Sequence, residues 1–391
     1  MKQAVILAAG EGQRLRPFTV NRPKVMLAIA GKPIIGYVVD ALAKNGIRRI
    51  IVVVGYHKEQ IFDYLGSGEQ FGVEVTYVTQ EKQLGTAHAL AQAESTVDSE
   101  FFVLSGDNLI DASTIAEFIK NKPETVLVKR VDNPQRYGVV TVDGGAVKTI
   151  KEKPWEEGMN LINTGICALN KGFFSFIKTA LDIPDVLNRM IEQGHVIKAI
   201  ETGGTWLDVI YPWDILSLNG AILNGIQPVM GGMVEANVAV KGKVAIGKDT
   251  LIRSNSYIVG PAVIGANCEI GPNVCILPTT SIGDNVVIEP FTEVKNSVIG
   301  DDVHISSGGT IEDSVIDKSC NIGGHFIACG DEAEVRINGE LHHVTLGAML
   351  GEGCKLGSNV IAQPGVIVGV YSQVRSLKTI SGRLPDRSLV V

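Results

Sequence analysis

Ile264-Gly265-Ala266-Asn267-Cys268-Glu269-Ile270-Gly271-Pro272-Asn273-Val274-Cys275-Ile276 carries an aliphatic residue at every sixth position. The period runs on in both directions. Steps of six from Ile246 land on Ile252, Ile258, Ile264, Ile270, Ile276, Ile282, Ile288 and Val294. After a one-residue slip the series resumes at Ile299, Ile305 and Ile311, and after another at Ile316 and Ile322. Glycine often follows the aliphatic residue, as at Gly247, Gly265, Gly271, Gly283, Gly300 and Gly323. A small or β-branched residue stands four places on, as at Thr250, Ser256, Ala262, Cys268, Val274, Thr280 and Val286. A six-residue period suits neither an amphipathic helix nor plain strand alternation. It suits short strands winding round a parallel β-helix, with the aliphatic side chain inside each turn. Cys268, Cys320 and Cys354 fall in the small-residue slot, so they are expected to pack against the coil interior.

The repeat breaks after Gly323. The segment from His325 to Val344 is charged and irregular and holds the turn signal Asn338-Gly339, so it reads as a loop or hairpin thrown out of the coil. On it, His342-His343 reads as an exposed pair rather than a metal site. The hexads return at Leu350, Leu356, Ala362, Val368 and Val374.

Upstream the grammar changes. Strand signals at Val5 to Leu7, Ile50 to Val54, Val73 to Val78 and Phe101 to Ser105 alternate with helix signals at Pro33 to Lys44, His57 to Leu65 and Ala87 to Ala93. The solid β-branched run Ile50 to Val54 is typical of a strand buried on both faces. This order predicts an α/β domain with a mostly parallel sheet, in which ligands sit beyond the C-terminal ends of strands. The 391 residues are too many for one ordinary core. Pro228 and the Gly231-Gly232 pair mark the change of pattern, which places one domain at 1–228 and a second at 233–391.

The formal net charge of −7 gives no support for a nucleic-acid binder. No apolar stretch approaches membrane-spanning length, and the run ending at Ala9 is too short for a signal-peptide core, so the expected location is cytoplasmic. None of the six cysteines forms a CxxC pair, and no zinc site or disulfide framework is suggested.

The residues that carry chemistry begin with Leu7-Ala8-Ala9-Gly10-Glu11-Gly12-Gln13-Arg14-Leu15-Arg16-Pro17, followed by Arg22-Pro23-Lys24. A strand runs into a glycine loop that bears cations. Glycines let backbone N–H groups turn toward an anion, and Arg14 and Lys24 would neutralise a triphosphate. A tight turn with surface cations would produce the same glycines; the Pro-Lys that follows tips the reading toward an anion site. Ser105-Gly106-Asp107 ends an apolar strand, where a carboxylate is well placed to hold Mg2+ and an Asx turn is the plainer alternative.

The stretch from Gly10 to Lys24 resembles the GxGxRLxPxTxxxPK signature of the sugar nucleotidylyltransferases, with Gln13 where the family often has Thr. Further segments match in family order. Gln80 and Gln83-Leu84-Gly85-Thr86-Ala87 are similar to the segment that reads the nucleobase, although Thr86 could equally cap the helix that follows. Tyr137-Gly138-Val139-Val140, Glu152-Lys153-Pro154 and Asn163-Thr164-Gly165 resemble the sugar-binding set.

The resemblance implies a Rossmann-like nucleotidyltransferase domain followed by a left-handed β-helix. It implies transfer of a nucleotidyl group from UTP or dTTP to glucose 1-phosphate or N-acetylglucosamine 1-phosphate, with release of pyrophosphate. Catalytic cations are then Arg14 and Lys24. The nucleotide site comprises Leu7, Ala8, Ala9, Gly10, Gly12, Gln80, Gly85 and Thr86. The sugar phosphate falls to Gly138, Glu152, Lys153 and Asn163, and Mg2+ to Asp107 with Asp208 of Trp206-Leu207-Asp208-Val209. The Leu-Gly-Thr-Ala form also occurs with guanosine nucleotides; Gln80 leans toward a pyrimidine.

In the family, this pair of domains occurs in bifunctional enzymes that also acetylate glucosamine 1-phosphate with acetyl-CoA. His304-Ile305-Ser306-Ser307 resembles their catalytic His-Leu-Ser/Thr-Tyr, with Ser307 in place of the tyrosine. His304 as a general base stands against the plainer reading of an outward coil residue beside buried Ile305. A homo-oligomer is expected, with a trimer packed through the coil as its form. The alternative from another class is a non-catalytic nucleotide-sugar-binding subunit, which should have lost the cations or carboxylates that this chain retains.

Overall fold

The computed structural model describes residues 1–152 and 159–391. By their contacts these fall into two compact units. The first comprises Met1–Glu11, Arg22–Met26 and Ile34–Asp208; the second comprises Gly12–Asn21, Leu27–Pro33 and Val209–Val391.

The first unit is built on a nine-stranded sheet. Its strands and a short separate pair are β1 (Gln3–Ala8), β2 (Arg49–Val54), β3 (Glu74–Thr79), β4 (Glu100–Ser105), β5 (Asn108–Ile110), β6 (Thr125–Arg130), β7 (Gly138–Asp143), β8 (Ala146–Glu152), β9 (Leu161–Asn170), β10 (Lys198–Thr202) and β11 (Trp206–Asp208). The sheet order is β3-β2-β1-β4-β9-β6-β10-β8-β7, with β5 and β11 paired apart from it. The parallel sheet expected from sequence is the β3-β2-β1-β4 half. Beyond β4 the sheet becomes mixed, because β9 runs antiparallel to both β4 and β6.

Burial explains the β-branched runs. In β1, Ala4, Ile6 and Ala8 face one core and Val5 the other; in β2, Ile50, Val52 and Val54 oppose Ile51 and Val53 in the same way. Helix α1 (Ile34–Lys44) covers the first face, and α2 (Thr86–Ala91) lies on the second. A strand buried on both sides has no polar face to alternate.

In the second unit the hexads form a left-handed parallel β-helix of three sheets, with nine, nine and eight strands. Ile246 pairs with Ile264, and Ile264 with Ile282, so like positions stack every 18 residues. The aliphatic residues of the repeat make one continuous core. The small slot has a second function. Thr250 Oγ1, Ser256 Oγ and Cys268 Sγ donate to the carbonyls of Gly265, Gly271 and Gly283 in the next coil, at 2.6, 3.0 and 3.1 Å. Cys320 and Cys354 do the same toward Gly351 and Gly369. Corners are turned by residues with positive φ, mostly Asn and Asp, such as Asn267, Asn273 and Asn285. Their short polar side chains tolerate the left-handed region better than most.

Three expectations need correction here. The repeat survives past Gly323: Ala328 is buried in the coil core, and Ile327–Ala328 pairs with Ile361–Ala362. The ejected hairpin is Asp331–Ile337 with Glu340–Leu346, starting later than the charge pattern suggested because its first residues still belong to the coil. His342 is not exposed; its ring packs 4.4 Å from Tyr211 and 5.3 Å from Trp213, while His343 is exposed beside Glu334. The first coil strand is Val229–Met230, whereas the contacts divide the chain after Asp208. Helix Asp214–Asn224 accounts for part of the difference: Asn219 Nδ2 donates to the Thr279 carbonyl at 2.8 Å.

Two substitutions test this packing. Ile270→Ala, at a site with no exposed surface, should cost about 3 kcal/mol. Phe291 is 70% exposed with φ +63°, so Phe291→Asn should stabilise by about 1 kcal/mol. Calorimetric melting of the two variants should shift in opposite directions.

Candidate active site

The loops that follow β1, β2, β3 and β4 leave the same edge of the sheet. Ala9 accepts a hydrogen bond from Tyr56 N, Val54 from Gln80 N at 2.8 Å, and Leu7 from Gly106 N at 2.9 Å. Leu7, Ala8, Ala9 and Gly10 therefore end the central parallel strand at the point where ligands enter such sheets. Gly106 is closely packed: a Cβ there would sit 3.0 Å from Ile6 Cγ2 and 3.1 Å from Val25 Cγ1. That close approach sets Asp107 directly after the strand.

Asp208 arrives from the other side. Strand β11 pairs antiparallel with β5, matching Asp208 to Asn108, Leu207 to Leu109 and Trp206 to Ile110. Asp107 and Asp208 thus lie at the same end of a three-residue ladder. Trp206 is buried and meets the Tyr137 ring edge-on at 5.5 Å, which anchors the strand.

Lys24 completes the cluster. It opens the short 3-10 turn Lys24–Met26, whose next residue, Val25, is buried in the core. The Lys24 ammonium lies 2.5 Å from Asp107 Oδ2 and 3.0 Å from Asp208 Oδ1. The three side chains are only 15%, 23% and 18% exposed. Burial alone would push the Lys24 pKa down, but the two carboxylates, Asp107 first, hold it well above the ordinary lysine value. The ammonium therefore stays charged. The geometry is that of two acids holding one cation between them.

Gln80 is buried, and its amide is fixed. Nε2 lies 3.1 Å from the Gly85 carbonyl, which can only accept, and 2.9 Å from His88 Nδ1. The amide nitrogen is thus turned toward these two groups. Gly85 has φ +141°, and a Cβ there would meet the Leu181 carbonyl at 2.4 Å.

Thr86 differs from expectation. It does not cap its own helix; Gly85 is the N-cap, and Thr86 N donates to Asp182 Oδ1 at 2.9 Å. Its hydroxyl donates to the same oxygen and accepts from Ile183 N at 2.9 Å, capping the helix Ile183–Glu192. That hydroxyl therefore ties the start of one helix to the start of the other.

Gly138 and Glu152 are register partners on β7 and β8. A Cβ at Gly138 would stand 2.9 Å from Glu152 Oε1, so glycine makes room for that carboxylate. Asn163 lies on β9, whose Ile162 pairs with Val139 of β7. Its Oδ1 accepts from Gly165 N at 3.1 Å, where the strand bulges. Lys153 lies outside the described residues. Gly12, with φ +72°, and Arg14, half-buried in the 3-10 turn Gln13–Leu15, belong to the second unit.

His304 lies on the outer side of its coil strand, with Nε2 2.9 Å from Glu289 Oε1; both side chains are about two-fifths exposed. Glu289 Oε2 also accepts from Ser307 N at 3.2 Å. Sequence reasoning missed Glu289, His88, Asp182 and Asp111. Asp111 alone left a legible signal: an Asp three residues before Thr114 and ahead of apolar Ile115 is a helix-start pattern.

Removing the ammonium would leave two poorly hydrated carboxylates facing each other. Lys24→Ala should destabilise the protein by about 2 kcal/mol, less than the 3–5 of a fully buried pair because these groups retain some solvent. Urea unfolding in a chelator-treated buffer measures it.

The comparisons agree with this geometry. Residues 3–224 match the family model described as nucleotidyl transferase, and residues 258–342 match the GMPPB C-terminal domain. The Bifunctional protein GlmU of Methanococcus vannielii is 36% identical, covering 94% of this chain and 92% of that protein. The bifunctional sugar-1-phosphate nucleotidylyltransferase/acetyltransferase of Sulfurisphaera tokodaii is 35% identical over 95% of each. A crystal structure from Bacillus anthracis, described as a glucose-1-phosphate thymidylyltransferase, is 32% identical with a TM-score of 0.53, covering 58% of this chain and 97% of that one. With strand ends, paired carboxylates and family matches in agreement, the chain belongs to the nucleotidyl transferase family and is a sugar-1-phosphate nucleotidyltransferase.

Proposed function

We propose that the chain transfers the nucleotidyl group of UTP or dTTP to glucose 1-phosphate or N-acetylglucosamine 1-phosphate, with Mg2+ held by Asp107 and Asp208. The observation that carries this is the Lys24 ammonium lodged between those two carboxylates. A pair that already holds one positive charge has the hard oxygen donors that suit Mg2+. Among the described residues no cluster of three or more His, Cys, Asp or Glu side chains could hold a metal. The remaining coordination positions would then fall to phosphate oxygens and water, as is common for Mg2+ at nucleotide sites.

Mg2+, when bound, would neutralise charge on the phosphates. The chain's own residues do the positioning. The sugar phosphate oxygen attacks the α-phosphorus in line; a new P–O bond forms as the bond to pyrophosphate breaks, with no covalent enzyme intermediate. Lys24 supplies fixed positive charge, and Arg14, by its place in the signature, supplies more. Gln80 carries an amide acceptor that suits the N3–H of uracil or thymine. Gly138, Glu152 and Asn163 would hold the sugar, with Lys153 on its phosphate.

The relatives named as bifunctional support a second activity, acetyl transfer to glucosamine 1-phosphate from acetyl-CoA. The specific observation in its favour is the His304–Glu289 pair, a base held by a carboxylate. The same reading includes a homo-oligomer, a trimer through the coil; Ile327 and Ile361, register partners on one face, are exposed. No helix among the described residues is long and apolar enough to cross a membrane.

Pyrophosphate release across a matrix of nucleotides and sugar phosphates tests the first activity, with a pyrimidine nucleotide expected; turnover confined to GTP would overturn the base assignment. Asp107→Asn and Asp208→Asn should each lower the rate about 100-fold or more. CoA release with glucosamine 1-phosphate tests the second: His304→Ala should abolish it and leave pyrophosphate release intact.

A further inference from the structure

We infer that Asp111 is a positioning residue for the cation site, setting the register of the β5–β11 ladder whose ends carry Asp107 and Asp208. This rests on the reading that those two acids hold the metal. The ladder has only three rungs and stands apart from the large sheet. An isolated two-stranded pair of that length is marginal in water. A slip of one residue would carry Asp208 about 3.3 Å along the strand and turn its side chain to the opposite face. Burial of Leu109, Ile110 and Trp206 holds the pair against the core, and the bonds just beyond its last rung add a fixed register.

Asp111 immediately follows β5, and Thr205 immediately precedes β11. Asp111 N donates to the Thr205 carbonyl at 3.3 Å, and Thr205 N donates to Asp111 Oδ2 at 2.6 Å. The other oxygen, Oδ1, accepts from Thr114 N at 2.6 Å and Ser113 Oγ at 2.7 Å, capping helix Ala112–Phe118. One carboxylate thus ties a helix start to the far end of the ladder. Its surroundings enforce the contact. Gly204 is held by Lys129 Nζ, which donates to its carbonyl at 2.6 Å. A Cβ on Gly204 would collide with Thr114 Oγ1 and lie 3.3 Å from Asp111 Oδ2. Asp111 touches neither Asp107 nor Asp208; it acts through the strand pairing between them.

The two oxygens have separate duties, and Asp111→Asn separates them. Asparagine caps a helix about as well as aspartate. Its amide nitrogen, however, would face the Thr205 N–H donor to donor. Thr205→Pro removes the same hydrogen bond from the other side. Ser113→Ala touches only the capping oxygen and serves as the control.

The test is Mn2+ binding to the full chain without substrates, followed by electron paramagnetic resonance, together with hydrogen exchange at Trp206 and Leu207 in metal-free protein. Asp111→Asn and Thr205→Pro should weaken Mn2+ binding about 10- to 100-fold and speed exchange at both amides. Half-saturating Mg2+ for pyrophosphate release should rise to match, and excess Mg2+ should restore most of kcat. Ser113→Ala should behave as wild type. Wild-type Mn2+ affinity in both ladder variants, with Asp107→Asn and Asp208→Asn having lost it, would overturn the inference alone. Undiminished Mn2+ binding in those last two variants would overturn the cation-site reading beneath it.

Discussion

Two carboxylates from distant parts of the chain must be held close together, and like charges at short range repel. Everything around the site serves that constraint. Asp107 is delivered by the end of β4, and Asp208 by a strand outside the main sheet. The Lys24 ammonium between them relieves the repulsion and, through Val25, is itself tied to the core. Coulomb attraction at 2.5 and 3.0 Å in a poorly hydrated cluster outweighs the cost of burying the ammonium, which is why its pKa rises rather than falls.

The rest of the first unit can be read as support for that cluster. Strands β1, β2 and β4 are apolar on both faces, so their ends are fixed by packing from two sides. Close approach then bears on where glycine stands. At Gly106 the neighbours are Ile6 and Val25, and at Gly85 the Leu181 backbone. A side chain at Gly85 would run into backbone, and one at Gly106 would press on two core methyls. The glycines beside the site therefore answer to packing.

How much of this was legible in the sequence depends on whether the feature carries a period. The aliphatic hexads did, and they mark the buried core of the coil with few exceptions. The runs of β1, β2 and β4 did, through their length and β-branching. The three-residue strands β5 and β11 are too short to show alternation, so the pairing that joins Asp107 to Asp208 could be reached only through resemblance. Thr86 misled as a cap for its own helix, because its hydroxyl bonds the start of another helix whose position no local pattern reveals. The hairpin began later than its charge pattern because Ile327 and Ala328 still obey the coil's register. The assignment of Gly12–Asn21 to the second unit is a tertiary fact with no local signature.

The coil divides its labour by direction. Inward positions are constrained twice, by volume and by the donor ladder in which Thr250, Ser256 and Cys268 reach the glycine carbonyls of the next turn. A thiol is a weaker donor than a hydroxyl but fills the slot with less polarity, which explains why Cys, Ser and Thr share it. Outward positions carry neither constraint. A histidine can therefore sit at 304 and a glutamate at 289 without disturbing Ile305 or Ile288, each of which remains buried beside it. Any chemistry the coil performs must come from such outward pairs, because the inward residues are already committed to holding the turns together.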